Sequence, residues 1–462
     1  MEGKRVSAQA VKQAIMGEVD QLAEAIAQAM NAAQDGHIIA DTDEPVRDAT
    51  AVFREQVYEQ VIGLLQKQQE AFSPRPEGRR NKGVQETSCL TVNGRLTVRR
   101  TVYWSPQGGT VMPVDQWLGL TEHRVSPGVR EMCCREALHC PFEVASANLQ
   151  RTAQWSLTGR RLREVVEDQG RAVLTAQQKG TLRPVFTAAE CTDQTVIAGT
   201  DGVMIPTVTQ EQKDKRRATE STKRVQEGRP STAAVGRPKP GSDGPFKEFK
   251  IHVFYDPDKT HCHVVATAGD HEVLGGLMRR EARRLHLSEA KIKYAISDGA
   301  EWIANEYQRQ LPMLDEHILD YYHLREHVVE ASQVLYEKDA PKARSWQEEM
   351  MGCVWEQGSL VLLDRLGAYL RRHPTGAKRD ALEALRDYLR KRVALTDYPT
   401  FRRLGYDCGS GPTESLCGQL AERLKGSGMR WDKSNAEFMM ALASVYHSGL
   451  WETYWQSERA AA

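Results

Sequence analysis

The sequence predicts an α+β multidomain chain built around a mixed β-sheet flanked by helices. Three observations predict it. VIAGTDGVMIPTV (196–208), FKIHVFYD (249–256), CHVVATAG (262–269) and IKYAISDG (292–299) have the length and β-branched content of strands. EVLGGLMRREARRLHL (272–287) and AEWIANEYQRQL (300–311) read as helices between them, so early strands give way to a strand–helix alternation. Residues 5–72 and 340–395 read as helix, with Val19, Leu22, Ile26 and Met30, then Val52, Val57, Val61 and Leu64, then Leu362, Leu363, Leu366 and Leu370 on single faces.

At 462 residues the chain has room for two to four domains. Lys+Arg and Asp+Glu number 62 each, so any basic surface has to be local. No apolar run approaches the roughly 20 residues of a membrane span, and MEGKRVSAQA lacks the apolar core of a secretory signal. The nine cysteines are scattered without a CxxC pair, against a Cys-based zinc site or a disulfide framework. The expectation is a soluble cytoplasmic protein with no membrane partner.

Taken in order, the helices up to residue 72 are followed by SPRPEGRRNKG (73–83), which reads as a charged linker. In CLTVNGRLTVRRTVYW, Asn93-Gly94 lies between two β-branched runs and signals a hairpin, made basic by Arg95, Arg99 and Arg100. Three helices opening at SPGVRE, CPFEVA and SLTGRR fill 126–178, the last with Arg160, Arg161 and Arg163 against Leu162, Val165 and Val166. A helix-turn-helix DNA reader and an ordinary helical bundle both fit that pattern. Residues 210–247 are charged and Pro/Gly-rich, and read as mobile. Their Gly-Arg-Pro repeats, with Arg229 and Arg237, suit minor-groove contacts or a plain linker. Arg371, Arg372, Arg390, Lys391 and Arg392 are expected to be exposed on the helical stretch 340–395.

Asp201 stands inside an apolar strand, on the alternating face of Ile197, Val203 and Ile205, with Gly199 and Gly202 leaving room for something to approach. An unpaired carboxylate there costs several kcal/mol, so it marks a site or holds a structural salt bridge. Asp298 ends a strand, where sheet proteins place site residues, yet Asp298-Gly-Ala-Glu301 also has capping-box spacing. Glu414, in GSGPTESLCGQLAERLKGSGMRW (409–431), opens a helix whose dipole favours an acid, with Leu416, Leu420 and Leu424 toward the sheet. Arg423, Lys425 and Arg430 follow, suited to phosphate. Three converging carboxylates repel one another unless hard divalent cations lie between them, Mg2+ foremost. A pair of such ions activates a water or a 3′-hydroxyl against a phosphodiester. HILDYYHLREH (317–327) holds Asp320 and His323 as DxxH, and His323 to His327 also match the H-x-x-E-H zinc-peptidase pattern. No G-x-x-x-x-G-K-[ST] loop occurs, so no nucleotide cofactor is expected.

The blocks GTDGVMIP (199–206), ISDGAEWI (296–303), LDYYHLREHV (319–328) and GSGPTES…RLKGSGMRW (409–431) together resemble DDE transposases of bacterial insertion sequences, of the Kra type related to Mutator-like elements. The resemblance covers roughly residues 85–455. It implies an RNase H-like catalytic domain, a mixed five-stranded sheet flanked by helices, with a helical insertion before the last acid. Asp201, Asp298 and Glu414 match the catalytic, metal-binding triad, and Asp320 and His323 match a supporting DxxH element. The implied cofactor is two Mg2+ ions, with Mn2+ able to substitute. The implied partners are double-stranded DNA at element ends and target, and a second copy of the chain or more. The implied layout is an N-terminal helical region (1–72), a small β-ribbon (84–115), a helix-turn-helix-like region (116–180), a first part of the catalytic core (190–338, with the basic insert 210–247), the helical insertion (339–400) and a last part of the core (401–462). Where such proteins often carry CxxC pairs in a zinc-ribbon-like element, YWSPQGGT (103–110) has none, so no zinc is expected. A catalytically idle DNA-binding derivative and, remotely, a zinc peptidase are the other expectations.

Overall fold

The computed structural model describes residues 6–72, 75–120, 123–229, 240–337, 339–373 and 375–461. They form an α+β structure in two compact units, residues 1–169 with 453–462, and residues 170–452.

In the first unit, α1 (Ala8–Ala14), α2 (Met16–Ala32) and α3 (Ile38–Phe72) precede the strands β1 (Arg80–Thr91), β2 (Gly94–Ser105) and β3 (Gly109–Val111). The strands make one antiparallel sheet in the order β1-β2-β3. Strand β1 therefore begins inside the stretch read as linker, because its first residues pair with Tyr103 and Trp104. The hairpin signalled by Asn93-Gly94 is present, but its two-residue turn is Val92-Asn93, and Gly94, at φ 121°, opens β2 opposite Thr91. Alternation along β2 turns Leu96 and Val98 inward, against Tyr58 and Ile62 of α3 and Val114, Trp117 and Leu118 of α4 (Pro113–Leu118). Then α5 (Pro127–Ala137), α6 (Phe142–Ala153) and α7 (Gly159–Lys179) form the three helices read from the sequence. Ser126 caps α5 by accepting the Val129 N–H, and Thr158 accepts the Arg161 N–H at the head of α7. Val129, Cys133, Cys134, Ala145, Leu149 and Leu162 are buried.

The second unit holds β4 (Thr195–Pro206), α8 (Gln210–Gln226), β5 (Phe246–Tyr255), β6 (Cys262–Thr267), α9 (His271–Arg284), β7 (Ile292–Ser297), α10 (Glu301–Gln310), β8 (Glu316–Leu319) and α11 (Tyr321–Tyr336). The five-stranded sheet runs β6-β5-β4-β7-β8; β5 is antiparallel to β4 and β6, and β7 is parallel to β4 and β8. Val196 and Ala198 face the core that includes Leu274 and Met278 of α9 and Ile303 and Tyr307 of α10. The opposite face of β4 meets a later helix, described with the site below.

Helices α12 (Ala340–Gln357), α13 (Ser359–Arg372) and α14 (Ala377–Arg390) form the helical block, with Leu362, Leu366, Leu382, Leu385 and Leu389 buried. The expected apolar stripe is present. Arg392 departs from its expected exposure: it is half-buried, for reasons given below. Helices α15 (Tyr398–Arg403), α16 (Gly411–Glu422), α17 (Lys433–His447) and α18 (Trp451–Ala461) complete the chain. Residues 453–462 belong to the first unit, where Gln169 donates to the Tyr454 hydroxyl (2.5 Å) and Arg130 pairs with Glu458 (3.1 Å).

Half of the insert read as mobile is helix. Thr209 and Gln212 close a capping box at the start of α8, Lys215 pairs with Glu211 (2.7 Å), and Lys213 pairs with Asp432 (2.6 Å). The charge-rich run QEQKDKRRATESTKRVQ is made of good helix formers, and its opposite charges meet one turn apart. Charge density alone misread it. No helix among the described residues is long and apolar enough to cross a membrane.

Candidate active site

Register brings the first two acids together. Thr200 is paired with Ser297 at the end of the parallel β4–β7 ladder, so Asp201 on β4 and Asp298, the first residue past β7, follow that pair directly. Adjacent strands lie about 4.8 Å apart. Asp201 accepts the Gly202 N–H at 2.6 Å, and no cation among the described residues lies within ion-pair distance of it. A structural salt bridge is therefore not its explanation. Asp298 accepts the Ala300 N–H at 2.8 Å, while α10 has Ala300 as its N-cap and no side-chain cap. The capping-box alternative is not realised.

The third acid arrives on α16, and Gly199 is the reason it can. A Cβ on Gly199 would stand 2.0 Å from Thr413 Oγ1 and 2.9 Å from Thr413 Cβ. The room beside Asp201 is thus filled by α16 itself, while at Gly202 a Cβ would instead meet the Glu248 carboxylate. Leu416, Leu420 and Leu424 are buried as expected. Glu414 lies exposed in the first turn, its Oε1 accepting the Ser410 hydroxyl at 2.7 Å. Gly199→Ala should drive α16 away from β4 and cost about 1–3 kcal/mol. Adding Thr413→Ala, which removes the nearest clashing atom, should restore part of the lost melting temperature; no restoration would mean that Gly199 is needed for something else.

Electrostatics ties the acids to one site. Burial raises the Asp201 carboxyl above its ordinary value, the Gly202 N–H opposes this, the Asp298 and Glu414 charges raise it further, and Lys425 lowers it. Cys417 of α16 is held protonated by burial and by the neighbouring Asp201 charge.

Asp320 is nearly inaccessible and acts as a clamp. Its Oδ1 accepts the His323 N–H (2.7 Å), capping α11, and its Oδ2 accepts the Ser410 N–H. Its own N–H goes to the Ser297 carbonyl at 2.8 Å. One residue therefore joins the end of β7, the start of α11 and the turn that presents Glu414. In the DxxH element only the backbone N–H of His323 is used this way. The His323 ring faces Glu326 (3.3 Å), the His327 ring faces Glu330 (3.4 Å), and the two rings are 5.4 Å apart.

Several contributors carried no sequence signal. On the reverse face of the sheet, Thr200 is 2.7 Å from His252 Nδ1 and accepts the Tyr307 hydroxyl at 2.7 Å, and Ser297 is 2.8 Å from His317 Nε2. Burial pushes His252 down to about 3 and His317 down to about 4, so both are neutral donors or acceptors beneath the two aspartates. The helical block also reaches the site. Arg392 donates to the Gly299 carbonyl (2.9 Å) and stacks on Tyr388 (3.9 Å), whose hydroxyl donates to the Asp298 carbonyl (3.3 Å). These contacts bury part of Arg392 and hold the loop after Asp298.

The expected phosphate contacts divide. Arg95, Lys425 and Arg430 are exposed. Arg99 is exposed but meets Glu86 across the hairpin at 3.2 Å. Arg100, one residue on, is on the inner face by strand alternation, buried and paired with Asp115, so it is unavailable to DNA. Arg160 and Arg161 share Glu164, and Arg163 faces Glu167 at 3.6 Å. Arg423 is buried, stacked on Trp431 at 5.0 Å, and is likewise no surface contact. Arg229 pairs with Glu227, and Arg237 lies outside the described residues.

The donor set of the site is three carboxylates, the chemistry of a hard divalent ion. The absence of a paired cation at half-buried Asp201 and the mutual repulsion of the acids fit such an ion. Among the described residues no group of three or more His, Cys, Asp or Glu side chains is drawn in to ion-holding distance, neither here nor around His323 and His327. Comparison of the chain with family models and with curated proteins gives no match to either.

Proposed function

We propose that the chain is a DDE transposase, a Mg2+-dependent enzyme that cuts DNA strands at the ends of an insertion sequence and transfers them to a target. The observation that carries this reading is the Thr200–Ser297 register, which sets Asp201 and Asp298 directly after a paired position of adjacent parallel strands while α16 brings Glu414 into their field. The mixed five-stranded sheet, with its helical block between β8 and α16, supports an RNase H-like domain.

Asp201, Asp298 and Glu414 would hold the ions. When bound, these supply Lewis-acid activation of a water or 3′-hydroxyl and charge stabilisation at the leaving oxygen. Mn2+ offers the same hard-ligand chemistry. The protein's own part is positional: Asp320 and Ser410 orient Glu414, Tyr388 and Arg392 hold the Asp298 loop, and exposed Lys425 and Arg430 meet backbone phosphate. Acting on two DNA ends calls for at least a dimer.

The test is a nicking and strand-transfer assay on duplex DNA carrying the inverted repeats that flank the coding region. Mg2+ should be required, and Glu414→Gln should lose cleavage while binding the same duplex. Cleavage that survives EDTA, or that is untouched by Glu414→Gln, would remove the proposal.

A further inference from the structure

We propose that a cavity in the first unit seats a backbone phosphate of duplex DNA through Arg95, Arg124 and Arg161. The inference rests on the reading of the chain as a DNA-acting enzyme, but concerns a site apart from the three acids. The cavity encloses about 600 Å3, and these arginines line it together with Ser88, Ser156 and Thr158. They come from different parts of the chain: β2, the connection before α5, and α7. Three guanidinium groups around one concavity, with hydroxyl donors between them, suit an oxyanion, since the Arg95 and Arg124 forks can make paired hydrogen bonds to phosphate oxygens and Arg161 adds its charge.

The local carboxylates leave the Arg95 and Arg124 charges in place, while Arg161 is already paired with Glu164 (2.8 Å) and donates to the His123 carbonyl (2.9 Å). Glu164 is taken up by Arg160 and Arg161, Asp168 by His123, and Glu55 by the backbone N–H of Arg95. Glu143 sits against Gly159 at the head of α7, so the helix end is already met by an acid and the arginines carry the site. The Arg95 guanidinium reaches only Ser88 Oγ, at 3.4 Å, and Arg124 has no ion-pair partner among the described residues. Arg124 adopts φ 50°, a backbone conformation uncommon for any residue but glycine, and the Leu90 N–H to Arg124 carbonyl bond (2.9 Å) holds it against β1.

A polymer phosphate suits the surroundings better than a free one. Arg99 on β2 and Arg160 and Arg163 on α7 extend positive charge beyond the cavity along the same two elements. The exposed Arg99–Glu86 pair is weak and can be exchanged for a neighbouring phosphate.

The experiment measures binding of the full chain to a fluorescent duplex in EDTA across a salt series, for wild type, Arg124→Gln, and Arg95→Gln/Arg124→Gln. The double variant should bind roughly tenfold or more weakly, and the slope of log affinity on log salt should flatten by about one. Melting curves matching wild type show that folding is intact; a variant that melts early is replaced by Arg124→Lys, which keeps the charge but not the fork and should bind several-fold more weakly with the salt slope little changed. Unchanged affinity and slope in a folded double variant would overturn the proposal. So would variants that lose stabilisation by pyrophosphate while keeping duplex affinity, because the cavity would then take a free phosphate compound. The two readings fail separately: Arg124-dependent binding without any cleavage sinks the nuclease assignment alone, and cleavage with an Arg124-independent slope sinks the cavity alone.

Discussion

Asp201→Asn should abolish Mg2+-dependent strand cleavage, by at least about 10^3-fold, and at the same time raise the melting temperature of the metal-free protein at neutral pH. The two effects share one cause. Asp201 is half-buried, without an ion-pair partner, and its carboxyl is raised by burial and by Asp298 and Glu414. A raised folded value means that the folded state binds the proton more tightly than the unfolded chain does. The penalty for ionising Asp201 is absent below its ordinary value near 3.8, grows as pH rises through the raised folded value, and is complete above it. Asparagine keeps the shape and removes the charge, so the penalty disappears. Mg2+ should reverse the order: at tenfold excess over its Kd it stabilises the wild type by about 1.4 kcal/mol and the variant much less. Melting with and without Mg2+, at pH 4 and pH 7.5, checks all of this. A metal-free variant that melts below the wild type at pH 7.5 would show that Asp201 is a structural residue, and one that still cuts DNA would remove it from the triad.

Asp320→Ala should be the most destabilising single change at the site, at about 3 kcal/mol or more, and should also cripple cleavage. The carboxylate is buried and accepts two backbone N–H groups, of His323 and Ser410. Each buried N–H left without a partner costs about 1–3 kcal/mol, and the α11 cap is lost with them. Ser410 is the residue whose hydroxyl holds Glu414, so its displacement loosens the third acid. Asp320→Asn keeps one acceptor oxygen but sets its NH2 against the other N–H, so only part of the stability should return while cleavage stays reduced. His323→Ala should leave stability near wild type, because only its backbone N–H is used by Asp320. If Asp320→Ala melts like the wild type, the clamp does not exist.

Local pattern made much of this legible. Two periodicities separated strands from helices, the Asn93-Gly94 pair named the hairpin, and an acid within an apolar strand drew attention to Asp201 because burying it unpaired is costly. Leu416, Leu420 and Leu424 announced the buried side of the segment that Glu414 opens. The readings that failed did so for a common reason. Arg100 and Arg423 counted as basic surface until strand alternation and a Trp431 stack turned them inward. The start of the charged insert read as mobile because composition does not register ion pairs one turn apart. Gly199 and Gly202 read as room for something to approach, and the structure supplies what approaches: Thr413 at the first and Glu248 at the second.

The sequence by itself determined most of the elements, because helix and strand periods, caps and turns depend on neighbours a few positions away. It also determined which acids needed an explanation, because desolvation cost follows from residue type and apolar context. Only the tertiary structure decided their company. The Thr200–Ser297 register, the seat of Thr413 on Gly199 and the reach of Asp320 to Ser410 join residues roughly one to two hundred positions apart. Such contacts are set by how layers pack, and no local pattern in the chain encodes them.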